Sequence, residues 1–385
     1  MLNTLKYPQA ATAAYFLLFL FFVVEATTED GGRYTAADTA AISDSSDSRT
    51  NVLDSSSQAG AITLLPILFY EPETKLGGGL TAAYYRRIGD AMRPSNIGIE
   101  VTYTQMRQFM VEFIPEYYSA GNDFRLYGEC YFGEYPDFFY GIGNNTRNEA
   151  KELYTARYAV VMLQGHYFVL PRFHIGGRID FRFERLTQTE EDGILGFGTL
   201  RGEEAWRGIG VGPVLTHDTR DNIFAATGGR FVEVSAVQYM TALSSSFDFG
   251  LAHIDARGFF APLSGHVIGL QTVGMFSWGE IPFQMLPGIG TILRGYPEGR
   301  FRDRNMLAWQ AEYRFPLWRR LRGAVFAGVG DVFNGIEDLS IHRLKVAAGP
   351  GLRYVFNKEG VSIRMDYGFS RLHGGAFYFT AREAF

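Results

Sequence analysis

Cysteine is nearly absent. Cys130 stands alone in 385 residues, which excludes a disulfide framework and any four-cysteine zinc site. Excess charge is missing as well: the formal net is −5, with no basic surplus to suit a nucleic-acid partner. Beyond residue 24 no long apolar run appears, so helical membrane spans are excluded from there on. The chain carries no Gly-x-Ser-x-Gly, no His-Glu-x-x-His and no phosphate loop ending in Lys-Ser/Thr. Its 7 histidines are scattered, with none paired at ligand spacing. No enzyme activity, metal or cofactor is expected.

What the chain has is glycine and rings. Gly numbers 45 and aromatic residues make up 15%, yet hydrophobic residues reach only 46%. Such a mixture suits a wall in which every second residue is apolar. Residues 1–26 look like a secretory leader: Lys6, then the uncharged run AATAAYFLLFLFFVV, then a small-x-small site ending at Ala26. Residues 27–61 change character, with 7 Ser, 5 Thr and 5 Asp up to Gly60, and 6 acidic side chains against 2 Arg. They bury too little to offset ordering entropy and are expected to be a disordered linker.

Residues 62–385 alternate with period two. From Phe173 to Phe183 the odd positions are apolar or glycine, while the even ones include His174, Arg178, Asp180 and Arg182. From Leu307 to Phe315 the odd row is Leu, Trp, Ala, Tyr, Phe against Gln310, Glu312 and Arg314. From Val361 to Phe369 an apolar row opposes Ser362, Arg364, Asp366 and Gly368. A ring-rich apolar face on nearly every strand, with charge opposite, fits a closed sheet with lipid outside. The expected fold is all-β: a transmembrane antiparallel barrel of sixteen strands, from 62–70 to 375–385. Tight turns such as 120–122 and 170–172 alternate with longer segments at 133–152, 187–205, 279–304 and 332–342. That asymmetry is expected of a bacterial outer-membrane barrel.

Four segments narrow the class. ILRGY (292–296) followed by PEGRFRDRN lies between expected strands 11 and 12. It resembles the Arg-Gly-Tyr/Phe loop of the BamA/TamA superfamily, the bacterial surface antigen family. LPILFYEPETKLGGG (65–79), THDTRDNIFAATGGRF (216–231) and QAEYRFP with GAVFAGVGDVFN (310–316, 323–334) resemble further family segments in order and spacing. The resemblance implies a loop folded into the barrel. Arg294 would be its lumen anchor beside Gly295 and Tyr296, with Glu312 as the carboxylate on strand 12. On strand 13 the family aspartate is missing from Phe326-Ala327-Gly328-Val329-Gly330. Asp331 is the available substitute, at opposite parity. The family's assembly-machine members carry polypeptide-transport-associated (POTRA) domains, which residues 27–61 are too few to hold.

Other motifs have structural readings. Asp218, Arg220 and Asp221 fit a hydrogen-bonded turn network better than catalytic pairs. Gly208-Ile-Gly210-Val-Gly212 falls within a strand, where packing explains it. Pro66 in the first strand, Gly374 and Gly375 before the last, and the terminal aromatic Phe385 suggest a weak seam and an assembly signal. Three roles stay open at this level: protein insertion or translocation, a passive or gated channel, and an envelope scaffold. Expected partners are outer-membrane lipid and envelope or client proteins, not nucleic acid.

Overall fold

The computed structural model describes residues 26–27, 61–71, 75–91, 94–121, 123–222, 225–355, 362–372 and 374–381. The leader and linker fall almost wholly outside the described residues, as does Phe385. A two-residue strand β1 (Ala26–Thr27) pairs with the start of β2 (Ala61–Glu71). The chain then runs up and down through β3 (Lys75–Arg86), β4 (Ser95–Thr104), β5 (Phe109–Tyr118) and β6 (Phe124–Phe139). Next come β7 (Glu152–Leu170), β8 (Phe173–Gln188), β9 (Trp206–Asp218) and β10 (Gly229–Tyr239). β11 (Phe249–Leu263), β12 (His266–Gly279), β13 (Asn305–Trp318) and β14 (Leu321–Phe333) follow. β15 (Lys345–Val355), β16 (Ser362–Ser370) and β17 (Gly374–Ala381) end the sheet.

Each strand from β2 onward pairs antiparallel with its successor. No register between β17 and β2 is among the described pairings, so the described sheet is open there. Among the described residues no helix is long and apolar enough to cross a membrane.

The burial pattern is inverted relative to a water-soluble sheet. Arg178, Asp180, Arg182 and Glu184 on β8 are buried, whereas Ile175, Ile179 and Phe181 on the same strand are exposed. The same holds for Glu312 and Arg314 against Trp309 and Tyr313 on β13. Several inward charges are neutralised within their own strand, two residues apart and on one face. Arg178 meets Asp180 at 2.7 Å, Arg182 meets Glu184 at 2.8 Å and Arg257 meets Asp255 at 2.5 Å.

The loops on one end are long and fold over the inner face. In one apolar cluster Leu195, Ile281, Phe283 and Met285 pack on Phe139, Trp206 and Tyr239. In a second, Ile289, Leu293, Tyr296 and Phe301 pack on Val273, Met306, Val332 and Ala347. One boundary differs clearly from expectation. β6 continues past residue 132 to Phe139, through Pro136, which normally breaks a ladder. Pro136 lies opposite Thr155 of β7 and beyond Glu134, the last residue of β6 paired with β5, so it sits where β6 has an open edge.

Candidate functional site

Residues 280–304 link β12 to β13 and run along the inner wall. The wall makes room with glycine: a Cβ at Gly328 would lie 2.6 Å from the Leu293 side chain, and one at Gly330 2.7 Å from Ile289. Arg294 follows directly. It is 9% exposed, and its Nη1 lies 2.9 Å from Glu312 and 2.5 Å from Asp366. The guanidinium also stacks on Phe326, 3.5 Å from the ring centroid.

Both carboxylates serve further arginines. Glu312 takes Arg314 at 2.9 Å and Arg353 at 3.0 Å. Asp366 takes Arg353 and, at 3.2 Å, Arg364. The hub thus joins the loop to β13, β15 and β16.

Gly295 has φ +116°, a conformation natural to glycine, and a Cβ there would meet the Phe369 backbone at 2.9 Å. Its N–H donates to the Tyr378 hydroxyl at 2.7 Å, and its carbonyl accepts from the Ser370 hydroxyl at 2.8 Å. Opposite it, a Cβ at Gly368 would lie 2.6 Å from the Arg294 carbonyl carbon. The Tyr296 hydroxyl donates to the Val346 carbonyl at 3.1 Å. Farther along, Arg302 approaches Asp137 at 3.4 Å, and Gly143 donates to the Arg302 carbonyl at 2.8 Å. Arg300 packs on Phe301 and donates to the Thr146 carbonyl at 2.5 Å. Asn144 is buried beneath these contacts.

The structure brings Arg294, Gly295, Tyr296 and Glu312 together but leaves Asp331 out. Asp331 is buried at the far end of β14, where the Ser340 amide approaches it at 3.5 Å. The second acceptor is Asp366, on β16 and not on β14. An acid at position 328 would collide with Leu293, so the guanidinium reaches across Phe326 to another strand. Asp366, Arg364 and Gly368 had been placed on the polar face by alternation. Their convergence on the loop needed the fold.

Asp218 and Arg220 form a two-point pair at 2.9 Å each. Asp221 accepts from the amides of Asn222 and Thr227 at 2.9 Å and from the Thr227 hydroxyl. Burial alone raises the Asp221 carboxyl, but the bonds from Thr227, Gly228 and Asn222 outweigh it and hold the group below its ordinary range. A lowered folded pKa stabilises above the unfolded value of about 3.9, and that contribution is lost as pH falls through the folded value. Asp221→Asn should therefore melt earlier than wild type at neutral pH, with the gap closing in acid. A gap unchanged down to acidic pH in a melting series would assign the loss to packing.

Gly208 and Gly210 leave space for the Tyr239 ring, which a Cβ at either would meet at 2.9 Å. Tyr239 stacks on Phe249 and donates to Asp180 at 2.7 Å. Pro66 is exposed and sits in an unshifted β2–β3 register opposite Leu80. Gly374 opens β17 at φ +71°. Gly375 is not an empty position, because a Cβ there would meet the Tyr367 hydroxyl at 2.0 Å.

An Omp85 superfamily domain matches residues 68–381, most of the chain. The chain belongs to the Omp85 superfamily. Two solved structures share the fold. BamA from Haemophilus ducreyi, lacking POTRA domains 1–3, aligns with TM-score 0.59 and 13% identity, over 84% of this chain and 70% of that one. CdiB from Acinetobacter baumannii aligns with TM-score 0.54 and 10% identity, over 84% of this chain. The Omp85 chain spans 60% of the length of CdiB. No curated protein matches it in sequence.

Proposed function

We infer that β17 closes on β2 to complete a sixteen-strand barrel in a bacterial outer membrane, and that this barrel inserts or translocates proteins through that seam. A leader over 1–26 exports the chain, the linker over 27–61 precedes the wall, and the apolar face meets lipid. The observation that carries the reading is where the inward loop ends. Gly295 is bonded to Tyr378 of β17 and Ser370 of β16, the hairpin that forms one side of the seam. A loop so placed ties the interior of the barrel to the strand that must move for lateral opening.

Three further features support it. Pro66 removes one amide donor from β2 without shifting its register with β3, as suits a strand with one weakly bonded edge. β17 opens on Gly374 and Gly375, which bring no side chain of their own to the closure. The loop filling the interior argues against a passive channel. Clients are outer-membrane or secreted polypeptides, and the role needs no enzyme chemistry or cofactor.

The test is reconstitution of the full chain in lipid vesicles with an unfolded β-barrel polypeptide as client. Client folding should accelerate over empty vesicles. Cysteine pairs joining 64–68 to 378–381 should abolish the gain when oxidised and restore it on reduction. Equal client folding with and without the protein would sink the insertase reading and leave an envelope scaffold.

A further inference from the structure

The outer face of β6, β7 and β8 carries charge in one row and rings in the next. Glu134, Arg157 and Arg185 stand opposite one another across these three strands. Two residues nearer the middle of the strands, Phe132, Ala159 and Phe183 come into the same register. Ala159 is the short member, so the two rings form walls roughly 10 Å apart, two strand spacings, with a trough between them. The trough is part of a cavity of about 430 Å³ that Phe109 and Arg107 also line. The row after it, Cys130, Val161 and Phe181, carries the apolar surface onward along the wall.

Arg107 reaches the rim from the turn between β4 and β5. Its φ is +65°, a left-handed backbone that an arginine adopts only at some cost. The turn is pinned: the Arg107 amide donates to the Thr104 carbonyl at 2.9 Å, and the Thr104 amide to the Gln108 carbonyl at 3.0 Å. Charge on the rim is unevenly matched. Glu134 takes Arg157 at 2.8 Å and accepts from the Thr187 hydroxyl at 3.0 Å. Arg185 is exposed and directly faces Arg157, an unfavourable pairing of like charges. Among the described residues, neither Arg185 nor Arg107 has a side-chain ion pair or hydrogen bond. A guanidinium stays charged, so the repulsion is not relieved by deprotonation.

We propose that this trough binds an anionic membrane lipid, with its phosphate held by Arg107, Arg157 and Arg185. One acyl chain lies against Phe132, Ala159 and Phe183. The forked donors match phosphate oxygens, and an anion between Arg157 and Arg185 turns their repulsion into a shared contact. The rings select a lipid over an acidic protein segment, because the apolar rows continue away from the charges in the direction an acyl chain takes. Rings at the edge of the apolar band, with cations just beyond, are at the depths of chain and headgroup. The inference rests on the reading that this face meets lipid, and not on insertion of clients.

Phe132→Trp places a fluorophore in the trough. The full chain carrying it is reconstituted in phosphatidylcholine vesicles, and brominated phosphatidic acid or brominated phosphatidylcholine is added in turn. Quenching beyond that of the wild type reads lipid contact at this position. The phosphatidic acid should be preferred about twentyfold, and Arg107→Gln and Arg185→Gln should each cut the preference about fivefold, the worth of one cation beside an anionic lipid. Arg185→Lys, which keeps the charge and loses the fork, should lose less. Arg319→Gln, in the turn between β13 and β14 at the opposite end of the sheet, should change nothing. Salt at about 1 M should remove most of the preference, a measurement that needs no arginine variant. Phe109→Trp is the second reporter if the first variant does not fold. Quenching by both lipids alike, unmoved by salt and by the arginine variants, would overturn the proposal alone and leave the rim to an acidic protein partner. No quenching by either lipid at either reporter would overturn it together with the lipid-facing reading.

Discussion

Glu312→Ala should be among the most damaging single substitutions in the chain, lowering stability by about 3–5 kcal/mol, the usual cost of removing one partner from a buried ion pair. It takes a carboxylate away from Arg294, Arg314 and Arg353, of which Arg294 and Arg353 keep Asp366. Arg294→Ala should cost less, because Glu312 keeps Arg314 and Arg353 and Asp366 keeps Arg353 and Arg364. The asymmetry separates a hub from a simple pair, in which the two truncations would hurt alike. The double variant should lose less than the sum, since a carboxylate without its arginine and an arginine without its carboxylate are no longer both present. Lys at position 294 should recover part of the loss, because an ammonium neither forks nor stacks on Phe326 as a guanidinium does. Heating the folded protein in detergent and following the gel shift gives each midpoint. Strict additivity, or equal single losses, would mean that the loop does not hold the hub in solution.

Ile179→Arg gives the second large effect, and it separates two solvents. Ile179 is 56% exposed on β8, between the buried Arg178 and Asp180. In water, charge at so open a position would be tolerated. Facing hydrocarbon near mid-membrane it should cost about 2–4 kcal/mol. Ile341→Arg is the control, at a residue 79% exposed in the segment between β14 and β15. It should leave stability unchanged. Reversible unfolding from lipid vesicles reads both; equal small effects would place the β8 outer face in water.

Much of the wall was legible in the sequence because a strand's two faces follow from parity alone. Arg178, Asp180, Glu312 and Arg364 fell on the inward row by counting. The misses have physical causes. β6 was expected to end at 132 but runs on to Phe139, and Pro136 falls beyond Glu134, the last residue of β6 paired with β5, where the strand has an open edge. Asp331 was the nearest acid in sequence to the vacant position, yet its parity turns it from the loop. Asp366 lies 72 residues from Arg294, and no local pattern encodes that distance. The one local sign was glycine at 328 and 330, where the wall is hollowed for Leu293 and Ile289.

The two-apart ion pairs bear on how such a sheet is built in a bilayer. The inward row of β8 runs Arg178, Asp180, Arg182, Glu184 and sums to zero before any neighbour arrives. β11 and β13 carry their own Asp255–Arg257 and Glu312–Arg314 pairs. A hairpin made of such strands meets the hydrocarbon already neutral, which spares it the several kcal/mol that an isolated buried ion costs. β15 is built otherwise. Its eleven residues hold Lys345 and Arg353 and no acid, and Arg353 ends fully buried against Glu312 of β13 and Asp366 of β16. The strand order therefore divides the acceptors of Arg353 in time: Glu312 is already in the wall when β15 arrives, and Asp366 follows with β16.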